Sequence, residues 1–263
     1  VPYRIDIAGA PPDVLDLLVQ WGALDLEPAG DGLAAILPDA VTPDAVAAAL
    51  APARVAFSPA LARDSGSVWL LSPRSVHVGG VRIAPPDAAP APDTLRLTDS
   101  TAFGTGHHPT TALCGEAIEE IIAIERPDCI LDVGTGSGIL ALAALLMGVP
   151  QAVGLDIDPD ALKAAAENAR LNHLENRLRL VPGGPDAVEG TWPLVVANVL
   201  AAPLIEIAPV LVRRLGSRGR LILSGIPWSL ESDVRQAYRH LGVRHVESRT
   251  RAGWTVLIAQ TSW

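Results

Sequence analysis

The chain reads as an α/β protein in two parts: a doubly wound, mostly parallel sheet over residues 99–263, preceded by a small α+β module over residues 1–57. Three observations predict this. Strand-like and helix-like stretches alternate without a break after Asp99, the first 57 residues run in the order β-α-β-β-α-β, and the stretch between changes to a Pro, Ala, Gly and Ser composition. A length of 263 residues suits one large domain with one small one.

In the front module residues 3–7 are expected to be extended, 11–21 helical, 23–27 and 33–37 extended, 42–50 helical and 54–57 extended. Asp31-Gly32 supplies a turn between the middle strands, and Thr42 ahead of Pro43 reads as an N-cap with proline at the first helical position. The order is that of a split-βαβ, ferredoxin-like fold. Residues 58–98 read as a β-rich linker, with apolar runs at 68–71 and 76–83 separated by Pro73. Within it the proline-rich stretch 85–92 can form neither helix nor ladder, so it is expected to be an exposed bend marking a hinge between the domains.

In the back part the expected helices are 109–124, 138–147, 159–171, 202–215 and 230–240. The expected strands are 129–133, 152–155, 178–181, 194–197, 220–224, 243–248 and 254–259. Such alternation builds a sheet whose ligand sits beyond the carboxyl ends of its strands.

Composition narrows the function classes. Apolar residues make up 49% and charged residues 19%, which excludes a polar disordered chain. The net charge is −9, and residues 1–100, with 6 Arg against 12 Asp and Glu, carry −6 of it. An acidic face repels phosphates, so direct nucleic-acid binding is not expected and a basic protein partner is. Cys114 and Cys129 form no disulfide framework, and the start of the chain lacks a charged segment followed by an apolar run, so a reduced, cytoplasmic setting is expected. The longest apolar stretch, residues 139–149, is about half the 20 residues of a membrane helix, and no membrane association is expected.

Four stretches carry chemistry. Residues 130–138 are an apolar strand running into Gly134-Thr135-Gly136-Ser137-Gly138, a turn that lets a ligand approach the backbone closely; the G-x-G-x-G spacing is not the G-x-G-x-x-G of a dinucleotide fold. Twenty-two residues past Gly134, Asp156 ends another apolar strand, where a carboxylate can accept both ribose hydroxyl hydrogens of an adenosine cofactor; Asp158, before Pro159, reads as the N-cap of the next helix. Asn198 ends a third buried strand. In transfer to an amine its carbonyl can hold the nitrogen's hydrogens and aim the lone pair, although it could simply satisfy a turn. Fourth, the loop Asp99 to Thr111 holds Phe103, Gly104, Thr105 and Gly106 beside a helix start, a combination able to wrap a cofactor, with Phe103 placed either against a sulfonium or in the core. His107 and His108 are adjacent, which suits chelation of one ion poorly, and no metal is expected.

Together these stretches resemble the PrmA family, bacterial methyltransferases that modify the stalk-base protein of the large ribosomal subunit, ribosomal protein eleven. The resemblance covers the 102–111 loop, the 131–138 turn, Asp156 to Pro159, Glu167-Asn168-Ala169 with Asn172, residues 197–200, residues 221–226 and Gly253-Trp254. It implies a Rossmann-like class I methyltransferase domain that transfers methyl groups from S-adenosylmethionine to lysine side chains and an N-terminal α-amine of a protein. The front module would then recognise the substrate. By the same resemblance Thr111, Gly134, Asp156 and Asn198 match cofactor-contacting positions, with Asn198 also the candidate catalytic residue; Phe103, Gly104, Thr105 and Gly136 join them from the loop and the turn. Rival expectations are methylation of another protein or of a small amine, a nicotinamide-dependent oxidoreductase, which the glycine spacing disfavours, and a non-catalytic binding module.

Overall fold

The computed structural model describes residues 1–263 apart from 31, 65–67, 73–74, 99–102 and 262, and apart from the side chains of Arg63 and His245. The chain divides into two compact units, Val1–Pro73 and Arg74–Trp263.

The first unit comprises β1 (Tyr3–Ala8), α1 (Val14–Gln20), β2 (Asp25–Ala29), β3 (Gly32–Leu37), α2 (Pro43–Leu50), β4 (Arg54–Pro59), β5 (Ala62–Arg63) and β6 (Val68–Trp69). Its main sheet has the order β2-β3-β1-β4 with every pair antiparallel, so each helical crossover skips one strand, as the element order predicts. Ile5, Ile7, Ala35 and Leu37 share one face and pack with Val14 and Leu18 of α1 and Val46 and Leu50 of α2. Thr42 caps α2, its Oγ1 accepting from the Ala45 N–H at 3.4 Å. Asp31 of the expected turn lies outside the described residues; Gly30, at φ +59°, precedes it.

The second unit begins with a small sheet of β7 (Val76–Val78), β8 (Val81–Ala84) and β9 (Thr94–Arg96). The structure therefore does not separate the units along 58–98. Residues up to Ser72 fold with the first unit, where the Leu71 N–H donates to Asp25 Oδ2 (2.9 Å) and Ser72 Oγ to Glu27 Oε2 (2.5 Å). Val78, Val81, Ile83, Leu95 and Leu97 are buried in the main core of the second unit. Residues 85–92 are likewise no hinge, for they connect β8 to its parallel neighbour β9 inside that unit. The proline-rich composition masked an apolar face that needed burial.

Then follow α3 (Pro109–Glu125), β10 (Cys129–Val133), α4 (Ile139–Leu146), β11 (Gln151–Asp156), α5 (Pro159–Leu171), β12 (Leu178–Pro182), β13 (Trp192–Asn198), α6 (Ala201–Arg213), β14 (Leu215–Pro227), α7 (Glu231–His240), β15 (His245–Arg251) and β16 (Trp254–Gln260). The seven-stranded sheet has the order β12-β11-β10-β13-β14-β16-β15, parallel except where β16 meets β14 and β15. Both faces are buried, so alternate residues along one strand enter different cores. Ile130, Leu194, Val196 and Ile222 face α3, α4 and the β7–β9 sheet, whereas Leu131, Val133, Val195 and Leu223 face α6 and α7. Ile139 to Leu145 are all buried, which explains why α4 is apolar on every side. Among the described residues no helix is long and apolar enough to cross a membrane. The strand order reverses between β10 and β13, the switch point beside which ligands bind in such sheets.

Candidate functional site

At the end of β10 the chain turns sharply through Gly134 (φ +72°), Thr135 and Gly136 (φ +56°) into α4. The N–H groups of Gly134 and Thr135 both donate to the Leu155 carbonyl, at 2.9 and 2.8 Å, tying the turn to β11. Two residues cannot carry a side chain here without displacement: a Cβ on Gly136 would stand 2.5 Å from the Phe103 carbonyl oxygen, and one on Gly134 2.3 Å from Val199 Cγ1. The positive φ values compound this restriction.

Asp156 ends β11 beside the turn. Its Oδ2 accepts from the Gly136 N–H (2.9 Å) and its Oδ1 from the Asp158 N–H (3.0 Å), so each carboxylate oxygen is oriented by one backbone donor and retains capacity for another. Asp158 does cap α5, accepting from the Asp160 N–H at 2.9 Å. On the other side of β10, the register Val133↔Ala197 brings Asn198 level with Gly134. Asp156 and Asn198 thus terminate the two strands flanking β10, and at about 4.8 Å per strand spacing they stand on the order of 10 Å apart across the turn.

Of the Asp99 to Thr111 loop, residues 99–102 lie outside the described residues. The rest folds over the glycine turn: Ser137 donates its N–H to the Phe103 carbonyl (2.9 Å) and its hydroxyl to the Gly104 carbonyl (2.7 Å). Thr105 Oγ1 lies 3.4 Å from the N–H and Nδ1 of His107. His108 caps α3, its Nδ1 accepting from the Thr110 N–H at 3.3 Å, and its ring meets Phe103 edge-on (centroids 5.5 Å apart) and Trp254 (4.8 Å). Neither histidine joins a metal-binding group, since among the described residues no three His, Cys, Asp or Glu side chains gather so as to hold an ion.

Beneath the turn Asp132 is almost wholly buried. Its Oδ2 accepts from Thr135 Oγ1 (2.7 Å) and the Ala141 N–H (3.3 Å), while Oδ1 has no partner, and burial pushes its pKa up to about 6. Asn198 Oδ1 and Thr111 Oγ1 are also buried and unpartnered. Polar atoms left unmatched in a packed interior are expensive, and these three belong to β10, β13 and the first turn of α3.

The structure brings Phe103, Gly104, Gly134, Gly136, Asp156 and Asn198 around one turn; Thr105 and Thr111 sit in the loop and the helix α3 that precede β10. Sequence reasoning named the stretches that hold Asp132, Ser137 and Asn168 but gave these residues no role, and their bonds shape the turn. A signal for Asn168 existed: it occupies an otherwise alanine stripe, Ala161, Ala164, Ala165 and Ala169, on the buried face of α5.

A sheet of this order, with a glycine turn at the switch point and an acidic residue closing the next strand, defines a class I, Rossmann-like methyltransferase domain. The family model for ribosomal protein L11 methyltransferase (PrmA) matches residues 84–262, and the chain belongs to that family. It is 37% identical over 213 residues to the ribosomal protein L11 methyltransferase of Pelobacter propionicus, covering 78% of this chain and 69% of that protein. To the Myxococcus xanthus protein of the same name it is 38% identical over 224 residues, 80% of this chain and 74% of the relative. The crystal structure of the ribosomal protein L11 methylase from Lactobacillus delbrueckii subsp. bulgaricus superposes with a TM-score of 0.65 at 32% identity, covering 72% of this chain and 99% of that one. The chain is an enzyme, a methyltransferase, and membership of this family implies use of S-adenosylmethionine.

Proposed function

We propose that this chain transfers methyl groups from S-adenosylmethionine to amines of ribosomal protein L11, namely lysine side chains and the N-terminal α-amine. The observation that carries the reading is the family match over residues 84–262 together with unmatched polar atoms at the glycine turn. The donor set fits the cofactor. Asp156 keeps acceptor capacity for two ribose hydroxyls, and Thr111 Oγ1 and Asn198 Oδ1 have no protein partner. Phe103, Gly104 and Thr105 would cover the cofactor from the loop.

S-adenosylmethionine, when bound, supplies a methyl group already activated on a sulfonium. The chain's task is therefore alignment. Asn198, uncharged and fixed at the end of β13, accepts a hydrogen from the incoming amine and directs its lone pair. A lysine at its ordinary pKa of about 10.4 must first lose a proton, which costs about 4.6 kcal/mol at pH 7, and partial desolvation of the amine in the pocket reduces that cost.

Substrate choice belongs in this reading to the first unit. Residues 1–73 hold 3 Arg against 9 Asp and Glu, a charge of −6 out of −9, and a basic ribosomal protein in the cytoplasm is a fitting partner for such a surface. Incubation with labelled S-adenosylmethionine and the mixed ribosomal proteins, followed by mass spectrometry, tests the proposal. Label on lysines and the α-amine of L11 is expected; label confined to other proteins or to small amines would overturn the substrate assignment.

A further inference from the structure

Three large apolar side chains are exposed where β13 and β14 leave the sheet. Leu200, two residues past Asn198, is 63% exposed; Trp228 and Leu230, on the 3₁₀ turn that follows β14, are 68% and 41% exposed. Apolar residues scattered singly on a surface need no explanation, but three on two adjoining loops beside a site do. The loops meet at their bases, for a Cβ on Gly225 would stand 2.3 Å from the Val199 carbonyl oxygen. Trp228 is held in place there. Its backbone N–H donates to the Gly253 carbonyl (2.9 Å), and its Cδ1 lies 3.9 Å from the point where a Cβ on Gly253 would stand.

The height of Trp228 above the sheet matches the reach of a lysine. β14 follows β13 as far as Asn198↔Ser224, but with β16 it runs on to Pro227↔Trp254. The β14–β16 ladder therefore projects beyond Asn198 by at most about 10 Å, at roughly 3.3 Å per residue from Ser224 to Pro227. A lysine's four-carbon stem spans on the order of 6 Å. A segment whose lysine nitrogen reaches Asn198 along the strand direction thus carries its backbone close to the end of this ladder, where Trp228 is exposed.

Charge selects the kind of segment. Residues 199–206 and 225–234 hold Glu206, Glu231 and Asp233 and no Lys or Arg. Glu231 pairs with Arg235 (2.6 Å), while Glu206 and Asp233 are exposed on α6 and α7. An apolar surface with acidic neighbours suits basic side chains, whose aliphatic stems lie along it while their charged ends meet the indole face or a carboxylate.

From this placement we infer that Trp228, flanked by Leu200 and Leu230, docks the basic polypeptide segment that carries the target amine. It is a residue of protein-substrate recognition in the second unit and takes no part in holding the cofactor. The inference rests on the reading of ribosomal protein L11 as substrate.

The test uses the full chain with L11 and measures KM and kcat for L11, S-adenosylmethionine Kd by calorimetry, and melting temperature. Trp228→Ala is expected to raise KM about tenfold, equivalent to about 1.4 kcal/mol, with kcat at saturating substrate within about twofold of wild type. Cofactor Kd and melting temperature should stay as in wild type, since the side chain is exposed. Trp228→Phe keeps an aromatic face and should recover most of the loss. Glu206→Gln with Asp233→Asn should raise KM at low salt and less so at physiological salt. A wild-type KM in Trp228→Ala, or a cofactor Kd that rises along with KM, would overturn the docking role. So would sedimentation showing a dimer that Trp228→Ala dissociates without changing KM, because the patch would then cover a second copy of the chain. A wild-type chain that binds S-adenosylmethionine but leaves L11 unmethylated would instead overturn the substrate reading, and the docking role with it.

Discussion

Replacing Asp132 with asparagine should stabilise the chain at neutral pH, and the size of the gain follows from where the carboxylate sits. It is 1% exposed at the end of β10, and burial raises its pKa from the ordinary 3.8 to about 6, while the bonds from Thr135 and Ala141 work the other way. A raised carboxylate pKa means that the folded state holds its proton more tightly than the unfolded state does. The contribution to stability is therefore complete below pH 3.8 and declines as the pH climbs through about 6. At 1.36 kcal/mol per pKa unit, the rise from 3.8 to about 6 leaves the ionised folded chain about 3 kcal/mol less stable to unfolding than the protonated one. Asparagine cannot ionise, and its carbonyl still accepts from Thr135 and Ala141. Its amide nitrogen would replace the unpartnered Oδ1, an unmatched donor that costs about 1 to 3 kcal/mol and offsets part of the gain. The firmer quantity is the change with pH. Urea unfolding of both chains from pH 4 to 7 should show the variant gaining about 2 to 3 kcal/mol on wild type across that span. A stability difference that stays constant from pH 4 to 7 would refute the account of Asp132 as a buried carboxylate that ionises at a cost.

Asp156→Ala should weaken S-adenosylmethionine binding by about 1.5 to 3 kcal/mol, the range for hydrogen bonds to a charged group; unchanged affinity by calorimetry would remove its ribose role. For Asn198→Ala, single-turnover methylation should slow far more than the melting temperature falls, and a wild-type rate would leave Asn198 as a structural turn residue. A chain cut at the boundary between the units should bind the cofactor but no longer methylate the ribosomal protein, and wild-type methylation of the same sites would place substrate choice in the second unit. A cut at Thr98, by contrast, removes Val78, Val81, Ile83, Leu95 and Leu97 from the core, and melting should expose the loss. With the full chain, raising ionic strength should slow association with the basic substrate, as the Debye length shortens to about 8 Å at physiological salt.

What could be read from residues alone follows from how locally each signal is encoded. Strands β10 to β14 and their helices announce themselves by short apolar runs alternating with amphipathic stretches, and the glycine turn and Asp156 lie where one strand ends and a helix begins. The β7–β9 sheet is marked only in part, by the apolar run at 76–83, and nothing there assigns it to the second unit. Its strands are three or four residues long, set among prolines, and their apolar side chains acquire meaning only when α3 and α4 supply the surface they cover. Long-range bonds are the hardest to foresee: Ser137 meets Gly104 across 33 positions and Asn168 meets Thr98 across 70. Nothing local in Thr98 predicts a partner, yet a polar residue inside an alanine stripe demands one. The physical cost of burying an amide thus makes Asn168 conspicuous in the sequence before its partners can be named, and the fold then shows those partners to be Thr98 and the Ser137 carbonyl.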